Sequence, residues 1–153
     1  MNHSAVIGYL FAATCIVYGI ILGSPLTIFF DPTSVVLILV LPCAFLLQAH
    51  GQDGLKTAKK AAGYWLRGEA FPMDQTHDAI CVVESGAKGT LSAALICMLI
   101  GAIQILQAIG PENLEAIGPA MAVMFLTYFY ARVINQVFWH PLGRWLTQQS
   151  LSG

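Results

Sequence analysis

Thr90–Leu106 reads TLSAALICMLIGAIQIL, and it lies inside a run from Gly89 to Pro111 that contains no charged side chain. A helix needs about 20 consecutive apolar residues to cross the hydrocarbon core of a bilayer, so this run is long enough to do so. Three further charge-free runs occur along the chain: Asn2–Phe30, Pro32–Gln52 and Ala116–Ala131. The sequence therefore predicts several membrane-spanning helices.

The composition of the whole chain agrees with this pattern. Of its 153 residues, 57% are apolar and only 10% are charged, whereas an average soluble domain is about 45–50% apolar and about 25% charged. The formal net charge is −1, which offers no basic surface for nucleic-acid phosphates. These values exclude a disordered chain, a nucleic-acid binder and a typical soluble enzyme, and they favour a protein solvated largely by the lipid bilayer.

The four runs predict an all-α integral membrane protein, a single domain over residues 1–153 with four transmembrane helices in two hairpins. The spans are placed at about 5–23, 33–50, 86–109 and 116–139. A cleavable signal peptide would begin with a basic segment, but the first 55 residues contain no Lys or Arg. A β-barrel would need alternating segments of about ten residues, and these runs are continuous.

The basic residues cluster on one side of this four-span arrangement. Basic residues near span ends mark the cytoplasmic side of a membrane, and the two predicted turns carry only the acidic residues Asp31, Glu112 and Glu115. We therefore expect the short loop over about residues 51–83 and both termini to be cytoplasmic. All seven basic residues lie in this loop, at the start of the third span, or near the end of the fourth: Lys56, Lys59, Lys60, Arg67, Lys88, Arg132 and Arg144.

Part of the loop has the pattern of a short amphipathic helix. Apolar residues recur at helical spacing from Leu55 to Trp65, with basic residues between them, which is typical of a helix lying near lipid headgroups. Two interpretations remain open. Either the helix only sets the orientation of the chain in the membrane, or Lys59, Lys60 and Arg67 make contacts with a cytoplasmic partner.

The sequence offers little catalytic or metal-binding chemistry. Its four histidines and four cysteines show neither metal-ligand spacing nor a CxxC pair, so we expect no metal, no cofactor and no enzymatic activity. Glu84 and Lys88 stand one helical turn apart at the predicted cytoplasmic mouth, as a surface ion pair or as an acidic entrance for cations. The fourth span is the most polar, and its hydroxyls, including Thr127 and Tyr130, bond between helices or line a wet path.

The fourth span also carries a recognisable motif. Ile117–Val123 reads IGPAMAV, and it is followed at fixed spacing by Thr127, Tyr130 and Pro141. This motif resembles the last membrane helix of the MotA/TolQ/ExbB proton-channel family, and it is most similar to MotA, the channel subunit of the flagellar stator. Phe29–Leu39, FFDPTSVVLIL, resembles the start of the second span of MotA. The cytoplasmic loop is much shorter here than in MotA.

The resemblance implies a small channel subunit of the bacterial inner membrane. Such subunits form a homo-oligomeric ring, typically a pentamer, around a single-span MotB- or ExbD-like helix that carries a membrane aspartate, and the ring couples proton flow to mechanical work. On this interpretation Thr127 and Tyr130 lie along the ion pathway and Glu84 lies at its cytoplasmic mouth. Pro119 and Pro141 would shape the ends of the fourth span.

Two other functions remain open. Where the family has Gly-Thr in the third span, this sequence has Cys97-Met98, and this difference favours a non-conducting structural or regulatory scaffold derived from the same fold. A small membrane enzyme or carrier is the other alternative. The absence of His, Asp or Glu from the middle of the predicted spans argues against it, because intramembrane ionisable groups usually mark such sites.

Overall fold

The computed structural model describes residues 3–23, 31–108, 110 and 114–152, and within these ranges the chain is helical and contains no strand. The all-helical class is therefore confirmed. A 3₁₀ turn, Met73–Gln75, precedes α3, and a π-helical turn, Asn135–Trp139, joins α4 to α5. The helices are α1 His3–Gly23, α2 Pro32–Arg67, α3 Thr76–Ala108, α4 Leu114–Ile134 and α5 His140–Ser152.

Three stretches of helix are long and apolar enough to cross a membrane: Pro32–Arg67, Met73–Gln107 and Ile117–Leu151. They indicate a membrane-embedded protein. The chain divides into two compact units, Met1–Pro32 and Thr33–Gly153, and α1 belongs to the first. It contains a shorter apolar helix, Ala13–Leu22, so the fourth span and the sidedness of the termini stay predictions.

Helix α2 begins at the place where the sequence favours a helix start, and it bends at a glycine. Asp31 precedes Pro32, which places an acidic residue at the N-cap and proline at the first helical position. Gly51 has φ 64° and ψ −164°, a conformation that is open essentially to glycine alone. It divides α2 into two arms, residues 32–50 and 52–67. The two turns between spans are predicted at Gly23–Pro32 and Gly110–Gly118, and residues 24–30 and 111–113 of them lie outside the described residues.

The second arm of α2 ends in a Schellman motif. The Gly68 N–H donates to the carbonyl of Trp65 at 3.2 Å, and the Glu69 N–H donates to that of Tyr64 at 3.1 Å. Gly68 has φ 70°, the left-handed conformation that this motif requires and that glycine adopts without steric cost. The helix predicted in the loop is therefore confirmed. It ends at Arg67, directly before Gly68–Pro72, whose glycine and proline predict a helix break.

The region expected to be a cytoplasmic loop is more structured than the sequence suggested. Helix α3 already begins at Thr76, well before the predicted span start at 86, and the apolar face of the 52–67 arm packs on protein. Trp65 lies edge-on to Phe138, with ring centroids 6.4 Å apart. We call the buried cluster that it covers the loop core: Leu46, Ala58, Ala61, Phe71, Ala79, Val82, Val83, Trp139, Leu142 and Leu146.

Small residues allow the helices of the second unit to approach closely. Ile38 of α2 packs with Ala93 and Ala94 of α3 and Ala131 of α4, a group that we call the alanine core. A Cβ atom at Gly101 would lie 3.4 Å from Met124, and one at Gly143 would lie 3.5 Å from Val83. Between these two contacts the residue number rises along α3, from 83 to 101, and falls along the α4–α5 helix, from 143 to 124. The two helices are therefore antiparallel.

The helix that begins with α4 does not end at the predicted boundary near residue 139. It continues through the π-helical turn into α5, where the His140 N–H bonds to the carbonyl of Asn135, five residues earlier. Pro141 follows directly, and a proline ring collides with the carbonyl four residues before it in a regular α-helix. A wider turn relieves that collision, which explains why the helix survives the proline and extends to Ser152.

Candidate functional site

Near the start of α2, two hydroxyls join it to α4. The Oγ of Ser34 and the Oγ1 of Thr127 are 2.8 Å apart and buried, and the Thr127 hydroxyl donates to the carbonyl of Val123 at 3.1 Å. A threonine hydroxyl has one proton, so Ser34 is the donor in the arrangement that satisfies both contacts. Thr127 is 5% exposed and is therefore enclosed by its own chain.

A second polar contact joins α3 to the π-helical turn. The Nε1–H of Trp139 donates to the Thr90 hydroxyl at 2.9 Å, and that hydroxyl donates to the Gly86 carbonyl at 2.8 Å. Gly86 lies directly against the indole, because a Cβ there would lie 2.6 and 2.7 Å from two of the ring carbons. The indole therefore occupies space that only glycine leaves open.

Asn135 lies beside this contact and has an incomplete set of hydrogen bonds. Its Nδ2 donates to the carbonyl of Ala87 at 3.2 Å and to that of Ala131 at 3.3 Å. These two acceptors use both amide protons and fix the orientation of the amide. Its Oδ1 is buried, and no described residue donates to it. A buried acceptor without a donor costs about 1–3 kcal/mol.

A third contact lies at the far end of the first arm of α2. The Nε2 of His50, directly before the kink, is 2.8 Å from the Oγ of Ser85 in α3. His50 and Ser34 stand about 24 Å apart along the helix at 1.5 Å per residue, which approaches the roughly 30 Å of a bilayer core. Polar contacts therefore tie the bundle near both ends of its apolar region.

An open groove of about 690 Å³ lies between α3 and the α4–α5 helix. Glu84 and Lys88 belong to one wall, with Lys88 Nζ 3.6 Å from Glu84 Oε2 and both side chains largely exposed. The opposite wall contains Asn135, His140 and Arg144. The remaining lining residues are Ile80, Val83, Ala87, Leu91, Trp139, Gly143, Thr147 and Gln148.

The structure separates the three residues assigned to the ion pathway. Thr127 is buried against Ser34, and Tyr130 is half-buried against the alanine core, with its ring centroid 6.3 Å from that of Phe129. Glu84 is exposed on the groove, and neither Thr127 nor Tyr130 belongs to the lining of that groove. The polar groups that join the groove wall to the bundle interior are instead Asn135, Trp139 and Thr90.

The two prolines occupy different parts of the last helix. Pro119 lies inside α4, and Pro141 is the second residue of α5, separated from the π-helical turn only by His140. Pro141 is buried, whereas Pro119 is exposed. Their predicted role in shaping the ends of a span stays a prediction.

The basic residues of the 52–67 arm differ in their contacts. Lys60 Nζ donates to Gln75 Oε1 at 2.6 Å and lies 5.5 Å from the centroid of the Phe71 ring, so this lysine helps to hold the arm against the segment before α3. Lys59 and Arg67 are exposed and are accessible to a partner. No partner contact of any of the three is shown, and this role stays a prediction.

Several residues of these contacts are not evident from the sequence alone. Ser34 stands within the FFDPTSVVLIL motif and Trp139 at the predicted end of a span, and no spacing in the sequence pairs His50 with Ser85. The available signal was the Gly86–Thr90 spacing, which places a small residue and a hydroxyl one turn apart on α3. Within the described ranges, no three His, Cys, Asp or Glu side chains lie close enough to hold a metal ion.

No protein-family model matches the chain, and no curated protein matches it significantly.

Proposed function

We propose that this chain is a MotA/TolQ/ExbB-like channel subunit of the bacterial inner membrane, which forms a ring around a partner helix and couples proton flow to mechanical work. The observation that carries the proposal is the large apolar surface that the chain leaves uncovered. Only 22%, 17% and 17% of the residues in the most apolar windows of the three long helices are buried within the chain. Such helices have surface available for neighbouring subunits as well as for lipid.

The distribution of acidic residues supports a partner that supplies the carboxylate. The sequence has no Asp or Glu between Asp31 and Asp53, or between Glu84 and Glu112. A proton carrier within a membrane needs a group that can lose and regain its charge, and an ionised carboxylate is costly in hydrocarbon. In this mechanism the partner's aspartate binds a proton, becomes neutral and passes an apolar wall of the ring. Thr127 would lie near that aspartate, and Glu84 would attract cations to the cytoplasmic mouth.

The test is the composition of the purified complex. The chain is co-expressed with its genomic neighbours, purified in detergent, and its mass is measured by native mass spectrometry. We expect a ring, typically of five copies, with a second chain that has one membrane helix and a mid-span aspartate. A homo-oligomer without a second chain contradicts the proposal, because no carboxylate would then be present to carry the proton.

A non-conducting scaffold is the second candidate, and the Ser34–Thr127 contact favours it. Both of the Thr127 contacts described above are satisfied inside one chain, which suits helix packing better than a wet path. Cys97-Met98 in the third span points the same way. Proton flux through the purified complex in vesicles distinguishes the two functions, since a scaffold assembles normally and conducts nothing.

A further inference from the structure

The groove between α3 and the α4–α5 helix lies where lipid headgroups would be. Helix α3 carries no charge from Gly89 to its end at Ala108, a length of about 30 Å at 1.5 Å per residue, which matches the thickness of a bilayer core. Lys88 therefore marks the boundary of the hydrocarbon. Gly143 packs against Val83, so Arg144 stands about 9 Å beyond Lys88 along the helix axis. A headgroup layer is about 5–8 Å thick, and the groove spans it.

The walls of the groove carry a positive charge that is not neutralised. Lys88 and Arg144 face one acidic lining residue, Glu84. The Glu84–Lys88 contact is long and exposed, and an exposed i,i+4 pair of this kind is weak. Within the described parts of the chain, Arg144 forms no ion pair. A guanidinium binds phosphate oxygens with two parallel hydrogen bonds, and a lysine beside it adds a second positive charge.

An apolar track continues from the groove into the bilayer region. Leu91 lines the groove, and Leu95 and Leu99 follow it at intervals of four residues on the same face of α3, with 53% and 64% of their surfaces exposed. An acyl chain fits along this face.

We propose that this groove binds an anionic phospholipid, with its phosphate between Lys88 and Arg144 and one acyl chain along Leu91, Leu95 and Leu99. The occupant is amphipathic because the groove has a basic part and an apolar part, joined at the level where the hydrocarbon begins. Basic pockets between membrane helices recognise acidic headgroups in this way. The inference goes beyond the proposed function and does not depend on it, because a conducting subunit and a scaffold would both meet lipid here.

The test measures lipid bound to the full chain in detergent. The protein is mixed with micelles containing phosphatidylcholine alone or phosphatidylcholine with phosphatidylglycerol, and bound lipids are counted by native mass spectrometry. We expect the wild type to bind phosphatidylglycerol preferentially. The double variant Lys88→Gln/Arg144→Gln should bind it about thirty-fold more weakly, since each basic residue at a lipid surface contributes roughly five-fold to affinity.

Two further variants make the result specific. Lys59→Gln/Arg67→Gln removes the same charge from exposed positions outside the groove and should bind phosphatidylglycerol more tightly than Lys88→Gln/Arg144→Gln does. Glu84→Gln removes the competing carboxylate and should bind it more tightly than the wild type. All of these side chains are exposed, so the variants should fold, which circular dichroism checks.

Three results would overturn the proposal. Equal loss of phosphatidylglycerol from both double variants would show only a general effect of charge. Displacement of the lipid by soluble glycerol phosphate at similar concentration would assign the groove to a free phosphate. An oligomer that persists without bound lipid in the wild type, but dissociates in Lys88→Gln/Arg144→Gln, would show that another protein chain occupies the groove.

Discussion

At the scale of single residues, the bundle depends on glycines that stand opposite large side chains. Gly86 faces the Trp139 indole, which in turn donates to Thr90. The contact joins α3 to the last helix at the wall of the groove, beside Asn135. A residue with no side chain therefore positions the largest buried ring in this part of the protein.

We predict that Gly86→Ala destabilises the protein by about 1–3 kcal/mol, the usual cost of inserting a methyl group into a packed interior. The added Cβ meets a rigid ring, which cannot move without breaking its bond to Thr90. Gly63→Ala is the matched control, since a Cβ there meets nothing within 4 Å and alanine favours a helix by about 0.5–1 kcal/mol. Unfolding by a denaturing detergent, followed by circular dichroism, gives both values. Equal stability of the two variants would contradict the packing described here.

Thr127 is the residue on which the conducting and packing interpretations differ most directly. We expect Thr127→Val to abolish proton flux through the complex in vesicles while leaving its assembly intact, because valine keeps the shape but removes the hydroxyl. The lost contact with Ser34 should cost only about 0.6 kcal/mol, a typical value for polar contacts between membrane helices. Thr127→Ser keeps the hydroxyl and should keep the flux. Unchanged flux in Thr127→Val would remove Thr127 from the pathway.

At the scale of secondary structure elements, two breaks in regular helix shape the groove end of the bundle. The kink at Gly51 turns the 52–67 arm back onto the loop core. The π-helical turn at Asn135–Trp139 inserts one additional residue before Pro141, which rotates α5 relative to α4. Such π-helical turns are frequent at functional sites, and this one supplies two lining residues of the groove, Asn135 and Trp139.

The kink at Gly51 leads to a prediction about local stability. Gly51→Ala forces a side chain into a backbone conformation that costs about 1–3 kcal/mol, although no neighbouring atom would meet its Cβ. We expect faster amide hydrogen exchange across residues 52–67, which need the kink to reach the loop core, and unchanged exchange within α4. Mass spectrometry of peptides measures both regions, with Gly63→Ala as the control in the same arm. If amide exchange across residues 52–67 is as slow in Gly51→Ala as in Gly63→Ala, the kink is not required for this arm to pack.

At the scale of the whole molecule, the exposed apolar surface of the three long helices demands a membrane, but it does not by itself give the number of spans. With three spans the chain ends on the side opposite to the start of α2, as the antiparallel order of the helices requires. With α1 as a fourth span, both termini lie on the same side. The side of the membrane on which each terminus lies therefore distinguishes three spans from four.

We predict that both termini are cytoplasmic, because every basic residue lies on one side of a four-span arrangement. A green fluorescent protein fused after Gly153 should fluoresce, and alkaline phosphatase fused there should be inactive. The same phosphatase inserted beside Glu112 in the predicted outer turn should be active. If green fluorescent protein fluoresces when it is fused after Gly153 but not when it is fused before Met1, the chain crosses the membrane an odd number of times and α1 is not a span.

The sequence alone was sufficient for the helical class, for the membrane environment and for the amphipathic arm that ends at Gly68. These features have local causes. A charge-free run of about 20 residues must satisfy its own backbone hydrogen bonds in lipid, which makes it helical, and glycine at a helix end permits the left-handed cap. The polar character of the segment from Thr127 to Asn135 was also visible, since these two residues stand out in an apolar run.

The partners of those polar residues were set by the tertiary structure. Ser34 meets Thr127 across 93 positions, and Trp139 meets Thr90 across 49. Each contact depends on how far two helices rotate and slide against each other, and packing of many small side chains determines this. The π-helical turn before Pro141 contains one residue more than a regular α-helical turn, so every later side chain lies on a different face of the helix than the α-helical period predicts. For this reason the helical periodicity of the sequence predicts neither that Arg144 and Lys88 line the same groove nor that the oxygen of Asn135 has no donor.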